Sequence, residues 1–323
     1  MVVVPIAKIV PIENKKRTLH MAINQAVIFT KPIYHLPFSI TPDALRDRVE
    51  AFLVNRGFYI RTQRCVNGQT LHSQGTMDQH YVVYSKAVRL ETLDTLVMSE
   101  AGLARFEERF GASWEDEKKA GRLMTTDQLI AKKGLAITDL LHAWEDQLAS
   151  GQTLKVQAGL IVAFVEAFDA YVINGFYPAM AERFHHADNV MHYFVVEFDS
   201  ADCSWESFRK EVLGVTNSSK AAPTSLRGQL FADFPVELPG SDNFVHGSAG
   251  PLEGFAERLV HEEEVGLATS PIGVYLQRRG VSAVTFRAWS ARKPIVELAA
   301  LFDLTEEKNS DEILPILDVI DFR

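Results

Sequence analysis

The stretch Asn243-Phe244-Val245-His246-Gly247-Ser248 is the part of this 323-residue sequence whose residue types could do chemistry. An imidazole is a nucleophile near neutral pH, provided that a partner fixes which ring nitrogen attacks. Pro251 opens a helical pattern, and Glu257 falls on that helix, so a carboxylate can supply the orienting contact. Gly247 lets the backbone pass close to a substrate. Lys31 directly follows an apolar stretch, residues 25–30 (QAVIFT), and is placed to meet a phosphate at a strand end.

The elements that must position these residues are partly legible. Residues 25–30 read as a buried strand. Thr41-Pro42-Asp43 reads as a helix start, with Leu45, Val49, Phe52 and Leu53 on one face and Gly57 as the stop. Residues 58–66 alternate and predict a second strand, and residues 192–198 a third. From about residue 85 to 173 the pattern predicts helices, the last over residues 153–173. The leucine and aromatic stripes there, Leu140, Leu141 and Trp144 among them, read as core. Met180 to Phe184 predicts a short helix, and Ser204 caps another that ends at Gly214. A long loop region runs from residue 215 to 242, and such loops tend to be functional. Beyond residue 267, residues 281–289 read as a strand and 295–302 as a helix. Glu306, Glu307, Asp311 and Glu312 read as a solvated acidic face.

The composition is that of a globular protein, 47% hydrophobic and 23% charged. A net charge of −9 argues against nucleic acid as a partner. Cys65 and Cys203 lack metal-ligand spacing and suggest a reducing, cytoplasmic setting. The short N-terminal apolar run is unlike a signal peptide. Residues 158–173 are too short and too charged, with Glu166 and Asp169, to span a bilayer, so no membrane partner is expected.

Five segments, in order, resemble nucleoside diphosphate kinases. They are Val27-Ile28-Phe29-Thr30-Lys31-Pro32; His80-Tyr81-Val82; Phe176-Tyr177-Pro178; Leu213 to Thr216 through Pro223 to Leu226-Arg227-Gly228; and Asn243 to Ser248 with Glu257. Together they cover roughly half the chain. The resemblance implies an α+β, ferredoxin-like core at residues 20–84 and 174–266. Into it would be set a mainly helical subdomain at 85–173, with a C-terminal extension at 267–323. It implies His246 as the nucleophile that takes a phosphoryl group from ATP or another nucleoside triphosphate and hands it to a nucleoside diphosphate. Glu257 and Ser248 would orient His246, and Tyr81 would support it. Lys31, Lys210, Thr216 and Arg227 would bind phosphate, Asn243 the sugar, and Phe176 would stack on the base. Mg2+ would arrive on the nucleotide phosphates, with no protein residue assigned as a metal ligand. A homo-oligomer is also implied.

The sequence departs from that family's pattern on the phosphate and metal side. Pro32-Ile33-Tyr34 replaces Pro-Asp-Gly, and Val83 replaces an acid. Asn174 replaces an arginine, Lys210 (beside Arg209) replaces another, and Ala249 replaces the acid after His-Gly-Ser. Two alternatives therefore stand beside the phosphotransfer reading. One is a kinase of a different small acceptor defined by the insertion; the other is a non-catalytic nucleotide-binding scaffold.

Overall fold

The computed structural model describes residues 22–90, 93–262 and 267–322. The expectations for residues 1–20 lie outside these. Among the described residues there are eight strands: β1 (Ile23–Thr30), β2 (Tyr59–Asn67), β3 (Leu123–Thr125), β4 (Leu154–Gln157), β5 (Leu160–Val165), β6 (Ala170–Ile173), β7 (Val190–Asp199) and β8 (Val245–Gly247). They form two four-stranded sheets within a mixed α+β fold.

The first sheet has the order β2-β7-β1-β8, every neighbouring pair antiparallel. β1 reaches β2 through the helix Pro42–Asn55, and β7 reaches β8 through Trp205–Leu213 and Leu226–Asp233. This is β-α-β-β-α-β connectivity with a long excursion between β2 and β7. All eight residues of β1 are buried because both faces of the sheet are covered, which is why its sequence does not alternate. Ala26 and Ile28 face Leu45, Leu53, Phe208 and Leu230. Val27 and Phe29 face Leu71, Met77 and Phe184. The first helix starts as expected: Thr41 Oγ1 accepts the Ala44 amide at 3.1 Å, and Gly57 follows at φ +82°.

The excursion departs from its expected form. Residues 153–173 are not a helix but β4, β5 and β6, and with β3 they make the second sheet, order β3-β6-β5-β4. The turns are set locally, by Gly159 at φ +73° and Asp169 at φ +48°. The segment 85–173 thus carries a four-stranded sheet beside its helices. Its helix Ile137–Ala149 lays Leu140 and Trp144 against Ala163, Val165 and Val172. Residues 281–289 are a second departure. They belong to the helix Ala283–Arg292, capped by Ser282, whose Oγ accepts the Thr285 amide at 3.0 Å. Phe286 and Trp289 from that helix pack with Leu252, Phe255 and Leu298, so the C-terminal helices share a core with the helix Pro251–His261. Among the described residues, no helix is long and apolar enough to cross a membrane.

Candidate active site

The β1–β8 pairing puts His246 directly opposite Phe29. The two rings stack at 4.4 Å with 15° between their planes. Phe244, two residues earlier, is buried at φ +66°, a conformation that non-glycine residues seldom adopt and that marks a locally constrained backbone. Its carbonyl accepts the Lys31 amide at 2.7 Å, which ties the histidine segment to the end of β1.

The helix Pro251–His261 brings Glu257 to His246, Nε2 to Oε1, at 2.8 Å. Ser248 Oγ donates to the other carboxylate oxygen at 2.5 Å and accepts the Val27 amide at 2.8 Å. With Nε2–H given to Glu257, the Nδ1 lone pair of His246 faces Tyr81 Oη at 3.3 Å. Burial, and then the cations Lys31, Arg227 and Arg209, hold the imidazole well below its ordinary range, so it is neutral. Burial pushes the Glu257 carboxyl up to about 8, against the Ser248 hydrogen bond and Arg209.

His246 opens onto a cavity of about 590 Å³. Of the residues expected from sequence, Lys31, Tyr81, Phe176, Lys210, Thr216, Arg227, Asn243 and His246 line it. Glu257 and Ser248 lie behind the histidine. All ten are thus brought together, from β1, from β8 and its flanks, and from the segments around Tyr81, Phe176, Lys210 and Arg227.

Lys31 Nζ donates to the Ser241 carbonyl at 3.2 Å. Burial and then Arg227 lower its ammonium to about 7. Arg227 donates to the carbonyls of Gly214 (2.6 Å) and Val245 (2.8 Å), while its Nε is buried and meets no hydrogen-bonding partner among the described residues. Asn243 Nδ2 donates to Thr216 O at 2.7 Å, and its buried Oδ1 likewise lacks a partner. Both orphaned atoms belong to side chains that line the cavity. Phe176 lies between Tyr84 (5.4 Å) and Trp144 (6.2 Å).

A backbone constraint fixes Arg227. A Cβ on the next residue, Gly228, would sit 2.1 Å from the Ala222 carbonyl oxygen. Gly228→Ala is therefore expected to lose about 2 kcal/mol of stability and to displace Arg227. Urea unfolding and nucleotide binding of the variant check both effects.

Several wall residues were not foreseen. Arg183 lines the cavity, and its guanidinium donates to Asp242 at 2.5 Å. Leu141, Trp144, Glu145 and Leu148 come from the helix Ile137–Ala149. Trp144 and Leu141 are core as expected, yet they also form this wall. Glu145 is buried and accepts a hydrogen bond from Ser241. The acidic C-terminal face is not simply solvated: Glu306 pairs with Arg209, and Glu307 lines the cavity and meets Lys210 at 3.1 Å. No sequence signal tied that segment to the site.

Two of the departures also have structural explanations. Asn174 takes φ +50°, donates to Gly159 O (3.0 Å) and accepts the Ile161 amide (2.9 Å), so it braces the β4–β5 turn. Val83 packs against two apolar cores.

No protein-family profile matches the chain, and no curated protein matches it. Among solved structures, the chain is similar to nucleoside diphosphate kinases. That of Aquifex aeolicus is 14% identical, with 76% of this chain and 98% of that chain covered at a TM-score of 0.36. That of Borrelia burgdorferi, a transition-state mimic with bound vanadate and ADP, is 12% identical, with 76% and 92% covered at 0.35. An NDP kinase from Pyrobaculum aerophilum is 14% identical, with 75% and 98% covered at 0.35. Superposition this loose carries no weight for family or activity, so function rests on the site.

Proposed function

We propose that the chain is a phosphotransferase that moves the γ-phosphoryl group of a nucleoside triphosphate through His246 to a nucleoside diphosphate. The observation that carries this reading is a neutral imidazole whose Nε2 is tied to a buried carboxylate and whose Nδ1 meets only Tyr81 Oη among the described residues, in the wall of a cavity that Lys31, Arg227, Arg183 and Arg209 also line.

In the first step the Nδ1 lone pair forms a bond to the γ-phosphorus. The bond from that phosphorus to the β,γ-bridging oxygen breaks, and the diphosphate leaves with the electron pair. The ring keeps its Nε2–H, and Glu257 offsets the charge that develops there. In the second step a terminal oxygen of an incoming diphosphate attacks the same phosphorus, and the N–P bond breaks. Such transfer is mainly positioning plus neutralisation of oxygen charge, which suits the cationic wall. Phe176 would stack on the base and Asn243 Oδ1 would accept from a sugar hydroxyl. Thr216 and Lys210 would sit at the phosphate edge.

The nucleotide's Mg2+ fits this wall at one residue. Glu253 lines the cavity, and its carboxyl is pushed up to about 8 by burial and then by Glu257. Its oxygen accepts only the Ala249 amide, at 3.2 Å, among the described residues. A hard cation takes carboxylate and phosphate oxygens, so Glu253 would hold the ion that neutralises phosphate charge.

The raised Glu257 carboxyl sets a pH dependence. Above about 8 it is ionised and accepts Nε2–H, leaving Nδ1 free to attack. Below that it is protonated and can donate to Nε2, which favours the unreactive Nδ1–H tautomer. The rate of phosphoenzyme formation is expected to fall as pH drops from 9 to 6.5. Glu257→Gln should be slower and flat over that range. A rapid-quench pH profile measures this, and equal slopes in both proteins would refute it.

A second reading keeps the donor and changes the acceptor. It is favoured by Leu141, Trp144, Glu145 and Leu148, which put the inserted segment on the cavity wall. In this reading residues 85–173 are a specificity element set into a core of residues 20–84 and 174–266. Discharge of the phosphoenzyme by a panel of diphosphates and other acceptors separates the two.

A further inference from the structure

Behind the cavity, His246 belongs to a second constellation. His80, His246 and Glu257 each offer one ligand atom within 4.8 Å of the other two, and the Nε2 atoms of both histidines approach Glu257 Oε1. His80 ends the helix Thr76–His80, and its side chain is 1% exposed. Its Nε2 lies 3.4 Å from Glu257 Oε1, and no hydrogen bond satisfies it among the described residues. A second cavity, of about 280 Å³, reaches His80 and Glu257 from the far side of Tyr81, between Val82 and Arg287. Burial keeps both imidazoles neutral, as ligands must be.

The geometry points to a transition-metal site on His80 Nε2, His246 Nε2 and Glu257, with its fourth position open to the smaller cavity. Two imidazoles and a carboxylate suit Zn2+ in tetrahedral coordination with one exchangeable position. Two nitrogen donors make Mg2+ a poor occupant. Each ligand already has the outer partner that such a site needs. His80 Nδ1 meets His261 Nε2 at 3.0 Å, and His246 Nδ1 meets Tyr81 Oη at 3.3 Å. The second oxygen of Glu257 accepts from Ser248. The ligand atoms need only spread slightly, since the His246–Glu257 contact is 2.8 Å and bonds of about 2 Å to zinc set tetrahedral ligands somewhat farther apart.

The consequence rests on the phosphotransfer reading. A metal on His246 Nε2 takes that lone pair, so the ring proton resides on Nδ1 and is donated to Tyr81. Nδ1 then has no lone pair for phosphorus. Metal and phosphoryl group are mutually exclusive occupants of one imidazole, and zinc switches the site off.

The test uses the full chain, stripped with a chelator and titrated with Zn2+ against a chromophoric chelator in the absence of nucleotide. The expected result is one tight ion per chain, unaffected by millimolar Mg2+ and weakened on the order of 100-fold or more in His80→Asn. Co2+ in the unmutated protein should give visible bands of four-coordinate geometry without thiolate charge transfer, which does not depend on the variant's folding. No tight ion, or cobalt–thiolate bands from Cys65 or Cys203 together with unchanged affinity in His80→Asn, overturns the site. With γ-labelled ATP, zinc should suppress labelling of the unmutated chain but not whatever labelling His80→Asn shows. Suppression equal in both overturns the switch. Tight zinc in a chain whose metal-free form takes no label supports the site and removes the phosphotransfer reading instead.

Discussion

His246→Ala is expected to take no label from γ-labelled ATP and Mg2+, where the unmutated chain takes an acid-labile, alkali-stable one that a nucleoside diphosphate discharges. Transfer should fall on the order of 10⁴-fold or more, because a covalent route has no substitute once its nucleophile is gone. Few other groups could take its place. Among the described residues His80 and His261 lie behind Phe29 and bond to each other. His35 reaches the same cavity, but its Nε2 is held by Asp242 at 3.2 Å. Label in His246→Ala would therefore place the chemistry on another group of the cavity, such as His35 or Lys31, and remove the reading. Loss of label with ATP still bound, in the unmutated chain as well, would favour the non-catalytic scaffold. The variant should fold, since the ring lies at the edge of a strand whose backbone pairing does not depend on it.

Parts of the fold were legible because their local signals are strong, whereas the histidine segment is a weak signal on residue types alone and drew its reading from the resemblance of five segments. Thr41-Pro42 is a cap with a proline at the first helical position. Ser204 caps its helix through the Ser207 amide. The spacing of His246, Ser248 and Glu257 is fixed by one strand, one turn and the start of one helix, so no long-range packing is needed to foresee their meeting. Residues 153–173 lacked that clarity. Leu160–Val165 is a continuous apolar run, and such a run has no period to separate a strand from a buried helix. What decides the matter is Gly159 and Asp169 at positive φ, together with β6 pairing to β3, a partner far away in sequence. In residues 281–289 the β-branched Val281, Val284 and Thr285 pointed to a strand. Packing of Phe286 and Trp289 against the helix Pro251–His261 overrides that propensity. The cavity wall built by Glu145, Arg183 and Glu307 was out of reach for the same reason: each is far in sequence from His246, and only the tertiary fold brings them near.

Lys31→Met is expected to bind nucleotide on the order of 100-fold more weakly and yet to be more stable. Burial and the neighbouring Arg227 lower the Lys31 ammonium from 10.5 to about 7, while Asp242 and Glu145 offset only part of that. The group is therefore held in a place that disfavours its charge until a phosphate arrives. The full shift corresponds to about 5 kcal/mol. Lys31 is partly exposed at the cavity mouth, where solvent screens the charge, so a gain of about 2 kcal/mol in Lys31→Met is the reasonable size. The sign follows from linkage. Between pH 7 and 10.5 the unfolded lysine binds a proton that the folded one does not, so the unmutated chain loses stability as pH falls through that window. The gain in Lys31→Met should thus be near zero above pH 10.5, grow as pH falls, and level off below 7. Taking the difference between two unfolding series cancels the opposite titrations of Glu253 and Glu257. The same logic makes nucleotide binding take up protons. At pH 8 free Lys31 is mostly neutral, and pairing with a phosphate restores its charge. Calorimetry in buffers of different ionisation enthalpy should report close to one more proton taken up per nucleotide by the parent than by Lys31→Met at pH 8, the difference diminishing toward pH 6; any proton that Glu253 releases to the metal is common to both and cancels. Equal proton linkage in the two proteins would assign the proton to another group, and a variant no more stable than the parent would mean that Lys31 is paired in the free protein.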